Sequence, residues 1–235
     1  MRSFFIILAI FIETAVYAIV AMLHMFLWRN DETFYAFTRS WARLTLRIAG
    51  IHVSAIGAEN IRPGERYVYV SNHASLFDIP VIIASVPDNI RIMYKRQLAR
   101  IPIFGWCVRM SPFIAIDRER SRDASDVLES IVATMSSGSS VLVFPEGTRS
   151  ENGEVGAFRR GAFVLALRSG KPLVPLSLLG TATILPKNTR RVQGGKVFVR
   201  IGPPIHAPEF STREQEKEMM ANVRQIIVNN VNLPS

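Results

Sequence analysis

From Ile51 to Ile201 short β-prone runs alternate with stretches of helical periodicity, and few architectures accept that pattern. Ile51–Ile56 and Arg66–Ser71 read as strands, the second carrying the strongly β-prone Tyr67-Val68-Tyr69-Val70. Ile90–Tyr94, Phe113–Ile116, Val141–Phe144, Leu173–Leu178 and Lys196–Ile201 continue the series. Between them Ala124, Val127, Leu128, Ile131, Val132 and Met135 recur at the spacing of one helix face. Gly161–Ser169 reads as a further helix, stopped by Gly170 and Pro172. Ser211-Thr212-Arg213-Glu214 has the form of a capping box opening a last helix that runs to about Asn229. The alternation predicts an α/β fold with a mixed, mostly parallel sheet flanked by helices.

Ahead of this region lies a different kind of chain. Phe4 to Trp28 is apolar except for Glu13, Thr14 and His24. As a helix it would reach about 37 Å, against a hydrocarbon thickness of about 30 Å. Glu13 near its middle would cost roughly 2.5–3.5 kcal/mol on insertion. Three readings are open: a membrane span, a helix or helical hairpin dipping into one leaflet, and a cleaved signal peptide. The last would use Arg2, an apolar region Phe4–Ile12 and an exit at Val16-Tyr17-Ala18. In the segment that follows, Phe37, Trp41, Leu44 and Ile48 fall on one side of a helical wheel and Arg39, Arg43 and Arg47 on the other. Such a basic amphipathic helix suits a headgroup interface; the alternative is a helix covering the globular core with its arginines in water. Arg29, Arg39, Arg43 and Arg47 follow the apolar run and only Arg2 precedes it, which predicts a cytoplasmic globular part.

Charge narrows the partners. The 235 residues carry a net charge of +9, which favours an anionic partner such as nucleic acid, an acidic lipid surface or a phosphorylated substrate. A nucleic-acid module would interleave its basic residues with stacking aromatics on a sheet face. Here the positive charge accompanies the apolar run and the junctions described next, so no nucleic-acid partner is expected. Cys107 is the one cysteine, and neither a disulfide framework nor a CxxC zinc pair is available.

In α/β folds reactive groups gather where strands end and helices begin. The first such junction reads Asn72-His73-Ala74-Ser75-Leu76-Phe77-Asp78. On one continuous helix His73 and Asp78 would point about 140° apart, but they can meet if His73 sits in the turn and Asp78 in the first helical turn. Asp78 would then fix the imidazole tautomer and leave the other ring nitrogen as a general base. A surface histidine beside a helix-capping aspartate is the plainer alternative. The second junction, Phe144-Pro145-Glu146-Gly147-Thr148-Arg149-Ser150, delivers a carboxylate, a glycine, a hydroxyl and a guanidinium suited to phosphate into one turn. Its alternative is an ordinary turn with an internal Glu146–Arg149 pair. The third ends a strand at Asp117-Arg118.

Taken together, these segments resemble the glycerolipid acyltransferases. Asn72 to Asp78 matches their NHxxxxD (HxxxxD) motif, and Phe144 to Ser150 matches FPEGTRS in full. Arg118 closes the intervening motif, Val174-Pro175-Leu176 resembles the fourth block, and Lys95 to Trp106 is similar to the segment preceding the second. The resemblance covers about residues 51–205 and is to the bacterial type of 1-acyl-sn-glycerol-3-phosphate acyltransferase. Pro112 stands where the family usually has Gly, and Gln97 where it usually has Glu. With the apolar run and basic helix read above as membrane-associating helices over residues 1–50, the resemblance implies an acyltransferase domain over 51–235. It implies His73 as the base for the sn-2 hydroxyl of lysophosphatidic acid and Asp78 as its partner. Arg118 and Arg149 would hold the phosphate, Glu146, Gly147 and Thr148 would shape the acceptor site, and Lys95 is a further phosphate candidate. The donor would be an acyl-CoA or acyl carrier protein thioester, the product phosphatidic acid, and the location the cytoplasmic face of the inner (plasma) membrane. The alternatives are another lysophospholipid or an acylated amino-acid lipid as acceptor, or a membrane lipid-binding protein that keeps the fold without turnover. No bound cofactor and no metal are expected. Ser75 lies near His73 without a GxSxG elbow, so no acyl-enzyme is expected. Gly170-Lys171-Pro172 and Gly195-Lys196-Val197 lack the rest of a P-loop. His24, His52 and His206 read as structural, and Phe104 and Trp106 as core residues.

Overall fold

A strand with no polar side belongs in the middle of a sheet covered on both faces, and Val68–Ser71 (β2) is buried at every residue. In the structure, a computed structural model that describes residues 1–116, 124–136, 138–206 and 212–233, β2 pairs in parallel with Ser140–Val143 (β5) and Leu173–Leu179 (β6). Ile90–Lys95 (β3) and Ile114–Ile116 (β4) extend the sheet beyond β5; Gly195–Ile201 (β7) and Ile51–Ile56 (β1) extend it beyond β6. Among the described residues the order is β1-β7-β6-β2-β5-β3-β4, parallel except for the β6–β7 pair. This is the mixed, mostly parallel sheet that the alternation predicts. Arg66 and Tyr67, expected in the second strand, precede it; the Tyr67 N–H bonds the Ser140 hydroxyl instead.

The pleat of β2 splits the core in two. Tyr67 and Tyr69 point into a cluster with Val81 and Ile82 of Asp78–Ser85 (α3) and Leu46 and Ala49 of Asp31–Ala49 (α2). Val68 and Val70 point the other way, toward Ile131 and Met135 of Ala124–Ser136 (α5), Phe163 and Leu165 of Gly161–Ser169 (α6), and Val223 and Ile227 of Arg213–Asn232 (α8). Among the described residues, Phe104–Met110 (α4) and Thr181–Ile184 (α7) complete the α-helices after β1. The α8 capping box is formed by Thr212 and Gln215, one residue later than Ser211 and Glu214, and the helix runs on to Asn232. Ser211 lies outside the described residues.

The apolar run forms one helix, Arg2–Trp28 (α1), long and apolar enough to cross a membrane. It packs along the domain against α2 and α4. Glu13 turns inward, 7% exposed, and accepts the Thr45 hydroxyl at 2.9 Å, which keeps its carboxylate off the apolar outer face. Ala18, Ala21 and Met25 join Phe34 and Cys107 in a third cluster, and Ser3 reaches the Val192 carbonyl at 3.3 Å. Burial pushes the Cys107 thiol up to about 11, where it is a poor nucleophile. Phe4, Phe5, Leu8, Phe11, Ile12, Ile19, Leu23 and Phe26 remain exposed along the opposite side of α1.

The structure bears on two sequence expectations here. Of the stripe Phe37, Trp41, Leu44 and Ile48 on α2, Leu44 is exposed, while Phe37 and Trp41 pack on α1, as in the reading of a helix that covers the globular core. The Phe37 ring meets His24 at 5.6 Å and the Trp41 indole N–H donates to Thr14 at 3.0 Å, both on α1. The buried side is Phe34, Tyr35, Ala42, Thr45, Leu46 and Ala49. The wheel assumed one apolar neighbour, whereas α2 has α1 on one flank and α3 with β1 on another. Its third flank is basic: Arg39, Arg43 and Arg47, with Tyr17 and Ser40, line an open groove of about 430 Å³. Trp106, expected in the core, is 53% exposed, because Gly105, Cys107 and Val108 take the inward positions of α4.

The sheet end away from the strand C-termini is organised by Asp88. Its Oδ2 accepts the hydroxyls of Tyr69 at 2.9 Å and Ser140 at 2.5 Å, and its Oδ1 accepts the Asn89 N–H at 2.7 Å. Asp88→Ala removes the acceptor from two buried hydroxyls, and unsatisfied buried groups cost about 1–3 kcal/mol each. We expect a loss of about 2–4 kcal/mol, read as a lower urea midpoint at unchanged m-value.

Candidate active site

The carboxyl ends of β2, β5 and β6 lie side by side at the centre of the sheet, and the chain leaving each of them converges on one place. After β2, Asn72 imitates a strand residue with its side chain: Oδ1 accepts from the Leu178 N–H at 2.9 Å and Nδ2 donates to the Leu178 carbonyl at 3.0 Å. This amide pair on β6 fixes where the following turn begins. His73 occupies that turn and Asp78 opens α3. The His73 Nδ1–H donates to Asp78 Oδ2 at 2.7 Å, which leaves Nε2 as the basic nitrogen. The same Oδ2 accepts the N–H groups of Ala74 at 2.7 Å and Ser75 at 2.9 Å, and Asp78 is fully buried. The Ser75 hydroxyl donates to the Leu185 carbonyl at 3.1 Å.

After β5 the turn at Pro145 brings Glu146 back toward β2. Glu146 Oε1 accepts the His73 N–H at 2.8 Å and Oε2 accepts the Gly156 N–H at 3.0 Å. The Ser150 N–H donates to the His73 carbonyl at 2.7 Å. Both backbone polar groups of His73 are therefore held by the second motif. Glu146 does not pair with Arg149: its two oxygens are spent on backbone donors. The Phe144 ring stacks on the imidazole, with centroids 4.0 Å apart and planes at 18°, and limits its rotation from one face.

Gly147 has φ +73°, a conformation most residues avoid, and a Cβ there would stand 3.1 Å from the Arg159 Cζ. Arg159, whose N–H donates to the Pro145 carbonyl at 2.9 Å, thus lays its guanidinium over the turn. Thr148 is exposed and Arg149 half-buried. Lys95 is exposed at the end of β3, whose neighbour β5 adjoins β2. Arg118 lies outside the described residues. The structure thus joins His73, Asp78, Glu146 and Gly147 in one bonded unit and sets Thr148, Arg149 and Lys95 at the same end of the sheet. Sequence reasoning gave no role to Asn72, Phe144, Gly156 or Arg159. Asn72 and Phe144 sit within the two motifs, but nothing local to Gly156 or Arg159 announces a partner ten or twelve residues away. Among the described residues, no group of three or more His, Cys, Asp or Glu side chains is placed to hold a metal ion.

A paired histidine and aspartate lie at the carboxyl ends of central parallel strands, beside a turn that carries Arg149 and is overlaid by Arg159. Comparison with known proteins gives that site a family. The profile of the acyltransferase family matches residues 52–179, and the chain belongs to that family. It is 37% identical over 152 residues to the chloroplastic 1-acyl-sn-glycerol-3-phosphate acyltransferase of Arabidopsis thaliana, a match covering 64% of this chain and 42% of that one. It is 36% identical over 157 residues to the alpha form from Homo sapiens, covering 66% and 56%. The chain thus spans about half the length of these relatives. The crystal structure of the 1-acyl-sn-glycerophosphate (LPA) acyltransferase of Thermotoga maritima superposes with a TM-score of 0.83 at 26% identity, over 98% of this chain and 96% of that one.

The Glu146 brace has a pH signature. Burial raises its carboxyl above the ordinary 4.5, with the His73 and Gly156 N–H groups partly offsetting that effect. The folded protein therefore binds this proton more tightly than the unfolded chain. The linked stability is full below 4.5 and is lost as pH rises through the folded value. Glu146→Gln sets an amide NH₂ against one of the two backbone donors, costing about 1–3 kcal/mol. Because the variant has nothing to titrate there, its deficit should shrink as pH rises, as denaturation midpoints of both proteins across a pH series will show.

Proposed function

We propose that this protein transfers an acyl chain from an acyl thioester to the sn-2 hydroxyl of 1-acyl-sn-glycerol-3-phosphate, forming phosphatidic acid. The observation that carries this reading is the 2.7 Å bond from His73 Nδ1 to Asp78 Oδ2, set in a turn whose backbone is held by the cationic second motif. Its Nε2 takes the proton of the attacking hydroxyl while the oxygen adds to the thioester carbonyl. The imidazolium, stabilised by Asp78, then returns that proton to the departing thiolate. No acyl-enzyme is required, and Ser75 is engaged elsewhere. Arg149 offers a planar fork to the phosphate, with Arg159 and Lys95 as further cations and Arg118 assigned by its motif. Gly147 and Thr148 shape the acceptor site, and Glu146 acts through the turn. The donor is acyl-CoA or an acyl carrier protein thioester. These assignments draw on the similarity to proteins named as 1-acyl-sn-glycerol-3-phosphate acyltransferases.

The same reading extends to location. With α1 packed lengthwise on the domain and apolar along its other side, we take it as a helix lying in one leaflet rather than one crossing both. Arg29, Arg39, Arg43 and Arg47 follow it, which favours the cytoplasmic face of the membrane.

His73→Ala should lower turnover by about 100- to 10,000-fold on lysophosphatidic acid without loss of fold. A folded variant retaining more than about a tenth of the rate would remove His73 from the mechanism. Arg149→Lys keeps the charge and loses the fork, so KM for lysophosphatidic acid should rise about tenfold or more. The change should be much smaller for a monoacylglycerol acceptor, which has no phosphate; equal losses on both would make Arg149 structural.

A further inference from the structure

The segment after Lys95 has a surface that the catalytic reading does not use. Leu98, Ile101, Trp106 and Met110 are all exposed, Trp106 by 53%, and they crowd into fifteen residues, Arg96–Met110. Two features of the backbone produce this grouping. A Cβ on Gly105 would stand 2.6 Å from the Ala99 carbonyl, so the turn containing Leu98 folds tightly onto α4. Ile103, at φ +64°, turns its side chain inward to the cluster around Ala18, Ala21 and Met25 of α1. A β-branched residue with positive φ is costly, so the surrounding packing holds the chain in this form. Its neighbours Ile101 and Trp106 are left facing out. On α4, Trp106 lies between Arg109 and Met110 on the wheel, and Arg100 is exposed beside Ile101.

We propose that this segment is a second membrane-docking surface, seated on a leaflet that carries anionic headgroups. It rests on the reading of α1 as a leaflet-embedded helix and goes beyond it. Two observations select a lipid surface as the occupant. The patch is continuous with α1, because α1 packs directly on α4. Its composition, an exposed tryptophan and aliphatic side chains interleaved with arginines, matches the level of the headgroups. The placement has a functional meaning. The segment begins at Lys95, at the carboxyl end of β3 and therefore on the rim of the active site. A leaflet touching both α1 and this segment meets the site's edge, so an acceptor lipid can enter sideways without leaving the membrane.

The test uses the full-length protein with single tryptophans. Replacing Trp28 and Trp41 by Phe leaves Trp106 as the sole indole; replacing Trp41 and Trp106 by Phe leaves Trp28, at the end of α1. Each is bound to phosphatidylcholine–phosphatidylglycerol vesicles with brominated acyl chains. Emission from Trp106 should shift to the blue and be quenched, as should emission from Trp28. Quenching of Trp28 with Trp106 unchanged overturns the proposal and spares the α1 reading; no quenching of either overturns both. Arg100→Glu with Arg109→Glu should weaken binding to these vesicles by at least about fivefold per arginine, with less effect on pure phosphatidylcholine. Unchanged vesicle binding, together with weakened binding to an acidic carrier protein, would assign the patch to a protein partner instead. Photolabelling of the unsubstituted protein with a diazirine-bearing phospholipid covers any failure of the variants to fold. Adducts within residues 96–110 are expected, and adducts confined to α1 would overturn the proposal.

Discussion

The orientation of the His73 imidazole hangs on one oxygen atom. Asp78 Oδ2 gathers the His73 ring N–H and two backbone N–H groups in a site closed to water. Donors from three consecutive residues can reach one acceptor in only a narrow range of loop shapes, so the bond that chooses the tautomer also folds the loop. Because Asp78 opens α3, the loop cannot shift without the helix that Val81 and Ile82 bury in the core. Rate enhancement through positioning needs this kind of over-determination, since small displacements of a base are expensive.

The parallel strands explain how two motifs about seventy residues apart become one object. β2 and β5 pair in register from Val68↔Val141 to Val70↔Val143, so both chains leave the sheet at the same level and their turns must touch. Glu146 then exploits that contact. A carboxylate accepting one backbone N–H from each loop is a cross-link whose length is set by the spacing of the strands. Asn72 supplies a similar link to β6 on the other side. His73 is thus fixed laterally by both neighbouring strands and from one face by Phe144.

What could be read from the chain itself follows the range of the forces involved. Ile51–Ile56 and Gly161–Ser169 were legible to the residue, because β-propensity, periodicity and a terminal glycine act locally. The two motifs were legible as well, since each is a single turn. The antiparallel entry of β7 between β1 and β6 was not, because pairing depends on which edges are free after the rest of the sheet has formed. Both differences of facing, on α2 and at Trp106, share a cause. A helical wheel states which side is apolar but not how many neighbours compete for it. The brace from Glu146 to Gly156 and the approach of Arg159 to Gly147 are backbone meetings with no compositional trace.

The fork of Arg224 on α8 holds the carbonyls of Val155 and Gly156, each at 2.8 Å. Gly156 in turn holds Glu146, and Glu146 holds the backbone of His73. His73 is therefore tied to α8 as well as to the sheet. During synthesis α1 leaves the ribosome well before α8. A nascent chain can lodge its apolar helix against lipid long before Arg224 exists. The turn that holds the imidazole gains this anchor only once α8 has been made, so the apolar helix is free to find its surface before that turn is complete.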